Sequence, residues 1–486
     1  MHPNCEPQQK SNGNGQQNIE ETERLVTDSI PGRRRARSWA APAALLATSA
    51  VLTLAACGGP AASTTSTSTS TGSSTGSTSG VVNITWQTMW SGNTLTLLNQ
   101  MVTEFNQTHP DIHVTESNIP SATGDAKLLS EIAAGDPPDV FTEWNPVLGE
   151  YAADGTIQSM SPYLTGTYAG LEKWEYPIAL QGGEYKGTLY ALPMSMNSWA
   201  LYYNKSMLKA AGISSPPTTL AQLYADQAKE WKTPGGKLEQ IGFDPDAGDN
   251  AGFEYYGSFF GAVNCFNSAG KYSFETCPGA ATEANWLAQY DNYPLADVEA
   301  MQAAYGAVAG GDDDPFVAGK MGFDMDGPWE GAQNIPVTNP SMNSNFGVVA
   351  FPGTVGQPST FGQGNYNIIP KGASNPQAAF TFAAWLAGYG NATFTAQIDP
   401  KGGWMPASPS IVQQPAYQAW LKANPWLNVF VSQMSSSASA APTLTASESE
   451  FETAEATATE DIAEHSKTPQ QALVYIDQQA NSGAGG

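Results

Sequence analysis

The segment from Ala133 to Asn145, "AAGDPPDVFTEWN", constrains the fold more than any other part of the chain. Gly135 suits the left-handed conformation that closes a helix. Pro137 and Pro138 hold φ and drive the residues before them into extended geometry. The chain therefore leaves a helix and runs directly into a strand, Asp139-Val140-Phe141, short and apolar as a buried strand is. Beyond it, Thr142, Glu143, Trp144 and Asn145 are predicted to project from the strand's carboxyl end, where open α/β sheets bind ligands.

The flanking residues repeat this logic. Val81 to Met89 reads as a buried strand rich in β-branched residues, broken by Trp90-Ser91-Gly92-Asn93. Leu95, Leu98, Val102 and Phe105 then recur at helical spacing, and His109-Pro110 ends that helix. A strand follows at Ile112-His113-Val114, then a helix through Leu128, Leu129 and Ile132. Strand and helix in alternation predict an α/β sheet with mostly parallel strands. With 486 residues, the chain is long enough for two such units. Near the other end, Thr468, Pro469, Leu473 and Ile476 predict a capped, amphipathic helix.

The first 80 residues read as targeting and tether. Arg33, Arg34, Arg35 and Arg37 precede an apolar run from Trp39 to Ala56. Pro42 and the many small residues suit a signal segment better than the alternative, a transmembrane anchor. The run ends in Leu54-Ala55-Ala56-Cys57, similar to a bacterial lipobox, in which the cysteine is lipidated and becomes the new N-terminus. Residues 60–80 are almost all Ser, Thr, Gly and Ala and cannot bury apolar area, so they read as a flexible tether. Residues 1–56 carry six basic and five acidic side chains. The acidity behind the net charge of −25 therefore belongs to the part that follows, which argues against nucleic acid and anionic membrane surfaces as partners. Outside leader and anchor the only cysteines are Cys265 and Cys277, 12 positions apart. In an oxidising compartment such a pair reads as a disulfide; a metal pair is disfavoured because no histidine lies nearby.

Several separated segments together resemble the extracellular solute-binding proteins of bacterial ABC importers, in the sugar-binding group that includes maltose-binding protein. They are "TLTLLNQMVTEFNQTHPDIHV", "EIAAGDPPDVFTEWN", "GTLYALPMSMNSWALYYNKSMLKAAGI", "PFVAGKMGFDMDGPWE", "FGVVAFPG" and "GNYNIIPKGASNPQAAFTFAAWL", in order along the chain. One departure is Thr218-Thr219-Leu220-Ala221-Gln222-Leu223, where the family usually shows Thr-Trp-x-Glu-Leu; Thr219 still suits a helix cap. Residues 231–295 match weakly. The resemblance implies two α/β lobes of the type II periplasmic-binding-protein kind, joined by hinge strands with a ligand cleft between them. Crossings are expected near Leu192–Met196, Val348–Pro352 and Gly402–Pro406. The first lobe would comprise 81–193 plus 353–402 and the second 194–350 plus 405–486, after a signal peptide (1–56) and a lipidated tether (57–80). The implied role is capture of a mono- or oligosaccharide and its delivery to a membrane permease, by a monomer anchored through Cys57 on the extracellular face.

Catalytic constellations are scarce. No His-Glu-x-x-His pattern or phosphate loop is present, and the one Gly-x-Ser-x-Gly, Gly72 to Gly76, lies inside the low-complexity tether. Asp244 to Asn250 starts like a calcium loop but fails at its fifth, sixth and twelfth positions. Glu143, Glu254, Asp324, Asp326 and Glu330 could supply the carboxylate pair of a secreted glycoside hydrolase, the alternative function class. Tyr202-Tyr203 and Tyr255-Tyr256 raise ferric-iron binding, against which Tyr203 lies in a segment the sugar-binding group shares as strand core. A binding protein without enzymatic activity, metal or cofactor is the expectation.

The positive signal is aromatic. Trp90 stands with Ser91 and Asn93, Trp144 with Glu143 and Asn145, Trp199 with Asn197, Trp329 just after Asp326, and Trp404 after two glycines. Indoles stack on the apolar face of a pyranose while carboxylates and amides take its hydroxyls. Gln363 and Asn365 complete the predicted ligand-binding set, in which one or two of the indoles are expected to be core.

Overall fold

The computed structural model describes residues 80–120, 123–144, 147–245, 252–290, 294–304 and 315–482, without the side chains of Trp144, Glu299 and Gln302. Asn145, Cys57, the leader, the tether with its Gly-x-Ser-x-Gly and most of Asp244 to Asn250 lie outside the described residues.

In chain order the elements are β1 (Val82–Thr88), α1 (Gly92–Thr108), β2 (Ile112–Asn118), α2 (Gly124–Ala134) and β3 (Val140–Trp144). Next come β4 (Ala191–Asn197), β5 (Ala200–Asn204), α3 (Phe253–Phe260), α4 (Pro278–Leu287), β6 (Phe323–Asp326) and β7 (Phe346–Val349). The remainder comprises β8 (Gln363–Ile368), α5 (Pro376–Leu386), α6 (Ala392–Gly402), α7 (Pro415–Ala423), α8 (Glu448–Ala463) and α9 (Pro469–Ala480), with short helical turns between. The fold is α/β and two-lobed, with hinge strands between the lobes.

One sheet has the order β2-β1-β3-β8-β4. β1 is parallel to β2 and β3, and β8 is antiparallel to both β3 and β4. The other sheet, β6-β5-β7, is antiparallel throughout. The expectation of mostly parallel strands therefore holds only around β1. The second sheet departs from it because β5 follows β4 across a two-residue corner and both its neighbours run back along it. The chain passes between the sheets at Ser198-Trp199 and again between β7 and β8. It passes a third time after α6, where Met405 and Met196 exchange backbone hydrogen bonds of 2.8 and 3.2 Å.

The Gly-Asp-Pro-Pro-Asp turn works as its sequence predicts. Gly135 has φ 78°, and the N–H groups of Gly135 and Asp136 donate to the last turn of α2. Asp139 adds a clamp, accepting from the backbone N–H of Thr85 (3.0 Å) in β1 and of Asn375 (2.9 Å) before α5. Two local expectations are corrected. The strand continues to Trp144, so Thr142 is buried within it, accepting from the Trp86 indole (2.7 Å) and donating to Asn367 (2.8 Å). The antiparallel partner β8, distant in sequence, extends the ladder by pairing Tyr366 with Glu143 and Asn365 with Trp144. Helix α1 buries Leu97, Leu98, Met101 and Phe105, while Leu95 and Val102 are only half-buried. The rings of Phe382 and Trp385 from α5, 4.8 and 5.4 Å from Phe105, set which side of α1 faces inward.

At the far end Thr468 and Gln471 form a reciprocal capping box with Pro469 in the first turn, and Leu473 and Ile476 are buried. Thr219 caps its helix by accepting from the N–H of Gln222. No described helix is long and apolar enough to cross a membrane.

Candidate functional site

β8 sits between β3 and β4 and lays Gln363, Asn365 and Asn367 along one face, because strand side chains alternate. Gly364 lies between the first two, and a Cβ there would come 2.7 Å from the Ser195 carbonyl oxygen. The sequence Gln-Gly-Asn thus brings an amide-bearing strand very close to β4. Gln363 stands opposite Asn197, and Asn365 donates to the Ser195 hydroxyl at 2.9 Å. Gln363 also donates to Glu254 of α3 at 3.3 Å, so one amide links β8 to α3. Glu143, Asn197, Gln363 and Asn365 are all buried. Such buried polar groups are costly unless they are hydrogen-bonded.

The indoles divide by environment. Trp199, at the corner between β4 and β5, is 1 % exposed. It is enclosed by Tyr255, Phe361 and Trp329, with centroids 5.3, 5.6 and 5.9 Å away. Gln433 fixes the corner by donating to the Trp199 carbonyl (2.7 Å) and to that of Ser359 (2.8 Å). Trp404 is also buried, its ring over Gly402 and packed in the core of the first sheet. Trp90 and Trp329 remain half-exposed. Trp329 is pinned from behind: Gly403, at φ 64°, lies so close that a Cβ would come 2.7 Å from the Trp329 Cα.

The acids beside Trp329 are held rigidly. Asp324 and Asp326 lie on β6 and are buried, and Asp326 accepts from the N–H of Gly327 at 2.6 Å. Glu330 opens a wide π-type turn through Asn334 and accepts from the Asn334 amide at 3.1 Å. Tyr202 ties the corner together, donating to the Gly327 carbonyl at 2.7 Å and accepting from the Gly331 N–H. Burial first, then the charges of Asp326, Glu330 and Asp324, hold its phenol well above the ordinary range, so it stays a neutral donor.

Ser91 and Asn93 are exposed at the start of α1. Asn93 lines a void of about 270 Å³ together with Thr96, Leu97, Ala332, Gln333, Val337 and Lys401. Gln333 also donates to the Gly402 carbonyl, joining the turn after Trp329 to the end of α6. Of the predicted residues, Trp199 and Trp329 meet ring to ring, Asn93 shares the void with Gln333, and Asn197, Gln363 and Asn365 form one region on β4 and β8. Glu254, weighed from sequence only as a catalytic acid, joins that region through Gln363. Ser195, Gln333 and Lys401 carry no functional signature in the sequence; only their neighbours in space give them a role.

Cys265 and Cys277 form a disulfide with Cα atoms 5.8 Å apart. Among the described residues no cluster of three or more His, Cys, Asp or Glu side chains could hold a metal ion.

Residues 91–393 match the family profile described as bacterial extracellular solute-binding protein. The mannotriose-bound structure of CpMnBP1 is similar at 27% identity and TM-score 0.70, covering 82% of this chain and 100% of that one. The sugar-binding protein MalE from Xanthomonas citri shares the fold at 21% identity and TM-score 0.66, over 82% of this chain and 97% of its own. A maltotriose-binding protein of Pyrococcus abyssi is 29% identical over 140 residues, 29% of this chain and 28% of that protein.

Proposed function

The chain belongs to the bacterial extracellular solute-binding protein family, and from that premise we propose that it captures a carbohydrate between its lobes for an ABC importer. Closure of the lobes encloses the sugar, and the closed form delivers it to the membrane permease. The observation that carries this reading is the half-exposed indole of Trp329 against Trp199, which packs on Phe361 just before the amide-bearing strand β8. An indole face and a row of amides and carboxylates match the two surfaces of a pyranose, apolar C–H groups and hydroxyls. Relatives with bound mannotriose and mannobiose, and one named for maltotriose, support a saccharide of more than one ring.

In this reading the lobes are 81–193 plus 353–402 and 194–350 plus 405–486, and Trp90, Asn93, Glu143, Trp144 and Asn145 contribute from the first. Asp326 and Trp329 contribute from the second, with Asn197, Gln363 and Asn365 on the floor between. The protein works as a monomer, tethered through lipidated Cys57, and leaves its ligand chemically unchanged. Isothermal calorimetry with mannobiose, mannotriose and maltotriose tests it, with chromatography of each sugar after prolonged incubation. Stoichiometric binding with intact sugar is expected; shortened products establish the glycoside hydrolase instead.

A further inference from the structure

Trp329 stands in the middle of a short turn, Gly327-Pro328-Trp329-Glu330-Gly331, whose two ends are tied to one atom. The Gly327 carbonyl accepts from the Tyr202 hydroxyl at 2.7 Å, and the same phenol oxygen accepts from the Gly331 N–H at 3.3 Å. The Glu330 N–H closes the turn on the Gly327 carbonyl at 3.3 Å, and Pro328, at its second position, holds φ. Asp326 takes the remaining backbone group of Gly327, its N–H, at 2.6 Å. Tyr202 is a firm anchor for these bonds. It lies on β5, the middle strand of the second sheet, and is fully buried. Phe346, Phe316, Phe430 and Trp426 surround its ring at centroid distances of 5.7, 5.8, 6.1 and 6.3 Å.

The indole is fitted as closely as its turn. A Cβ on Gly327 would come 2.2 Å from Cη2 and Cζ3 of Trp329, and one on Gly403 would come 2.7 Å from its Cα. Trp199 meets the ring with its plane at 82°. Trp329 nevertheless stays half-exposed, so these contacts order an indole that solvent, or a ligand, still reaches.

We infer that Tyr202 is a positioning residue for sugar capture: by holding both ends of the turn it sets the Trp329 indole in its stacking orientation before the ligand arrives. The inference rests on the carbohydrate reading, in which that indole stacks on the sugar. A side chain ordered in advance has little rotamer freedom left to lose on binding, whereas a loosened one loses it at the expense of affinity. Tyr202 itself need not touch the ligand for this, because its effect passes through the turn.

Two variants test the inference. Tyr202→Phe removes the hydroxyl and keeps the ring among its four aromatic neighbours; Gly327→Ala keeps the hydroxyl and displaces the indole. Mannotriose calorimetry is run on each, alone and combined with Trp329→Ala. Circular dichroism follows the signal of the Trp199–Trp329 pair, identified by its loss in Trp329→Phe. Both variants are expected to diminish that signal and to weaken mannotriose roughly three- to tenfold, the range that immobilising one such side chain spans. Neither adds to the loss already caused by Trp329→Ala, because the effect acts through that indole; a merely structural defect would lower affinity equally on both backgrounds. Equal losses with and without Trp329, or an unchanged signal or affinity in Tyr202→Phe, overturn the inference while sugar binding by the unaltered protein stands. A diminished signal in a protein that binds none of mannobiose, mannotriose and maltotriose overturns the carbohydrate reading and leaves the placement of the indole by Tyr202 intact.

Discussion

Trp199 and Trp329 meet edge to face, their ring centroids 5.9 Å apart and their planes at 82°. The first is enclosed by other rings and the second is half-exposed, so equal truncations should separate folding from binding. Trp199→Ala leaves a cavity in a packed cluster and is expected to cost about 3–5 kcal/mol of stability. Trp329→Ala is expected to cost about 2 kcal/mol or more in sugar affinity, roughly thirtyfold, with a smaller loss of stability. Calorimetry and melting curves on both variants check this; a Trp329→Ala protein with full affinity and a sharply lowered Tm contradicts it.

Asn365 and Ser195 share a buried hydrogen bond of 2.9 Å between β8 and β4. Ser195→Ala strands the Asn365 amide, which should lower stability by about 1–3 kcal/mol. Because the same amide is a ligand candidate, affinity should fall too. Chemical denaturation and a sugar titration of one preparation separate the two losses, and an unchanged midpoint rejects the first.

The cysteine pair closes a loop of 12 positions. Holding so short a loop shut in the unfolded chain is worth about 3 kcal/mol in the chain-entropy account. Dithiothreitol should therefore lower Tm, and unreduced, denatured protein should show no titratable thiol from Cys265 or Cys277. Two free thiols under those conditions would falsify the linkage.

Acidification from pH 8 towards pH 5 should stabilise the protein. Burial, the largest cause in each case, raises the Glu448 and Glu230 carboxyls to about 8 and holds Glu175, Glu283 and Asp399 well above the usual range. A carboxyl raised on folding binds its proton more tightly in the native state. Its contribution is complete below the unfolded value near 4.5 and is lost as pH climbs through the folded value near 8. Repulsion within a chain of net charge −25 acts in the same direction. Melting curves at half-unit pH steps measure it; a Tm that climbs steadily from pH 5 to 8 refutes the assignment.

Anchoring is tested at Cys57, which follows Leu54-Ala55-Ala56. Cys57→Ala should release the protein from membrane fractions and leave the leader unprocessed. A variant that survives an alkaline wash in the membrane pellet points to a spanning anchor.

What the sequence revealed about this fold was mostly local. Gly135, the proline pair and Asp139 announced a helix stop and a strand start, and Thr468-Pro469 announced a cap, because backbone sterics and short-range hydrogen bonds settle those features. The extent of β3 was hidden, since Thr142 and Glu143 are held in it by β8, more than 200 positions away. The inward face of α1 lies one flank away from the Leu95–Val102 spacing for the same reason, the deciding rings being Phe382 and Trp385. At the site, residue types such as Trp beside Asn, Asp or Glu were legible as sugar chemistry. Which indole is enclosed was not, because Trp199 owes its burial to Tyr255 and Phe361, outside its own segment.

The placement of β8 between β3 and β4 also bears on how the protein is made. A sheet that receives an interior strand from residues 363–368 cannot be completed while that strand is still unsynthesised. Until then the edges of β3 and β4 have no β8 between them, and closing so long a loop is slow. In a family described as extracellular such a delay would favour export, since a chain whose sheet is incomplete is easier to thread through a membrane pore than a folded one.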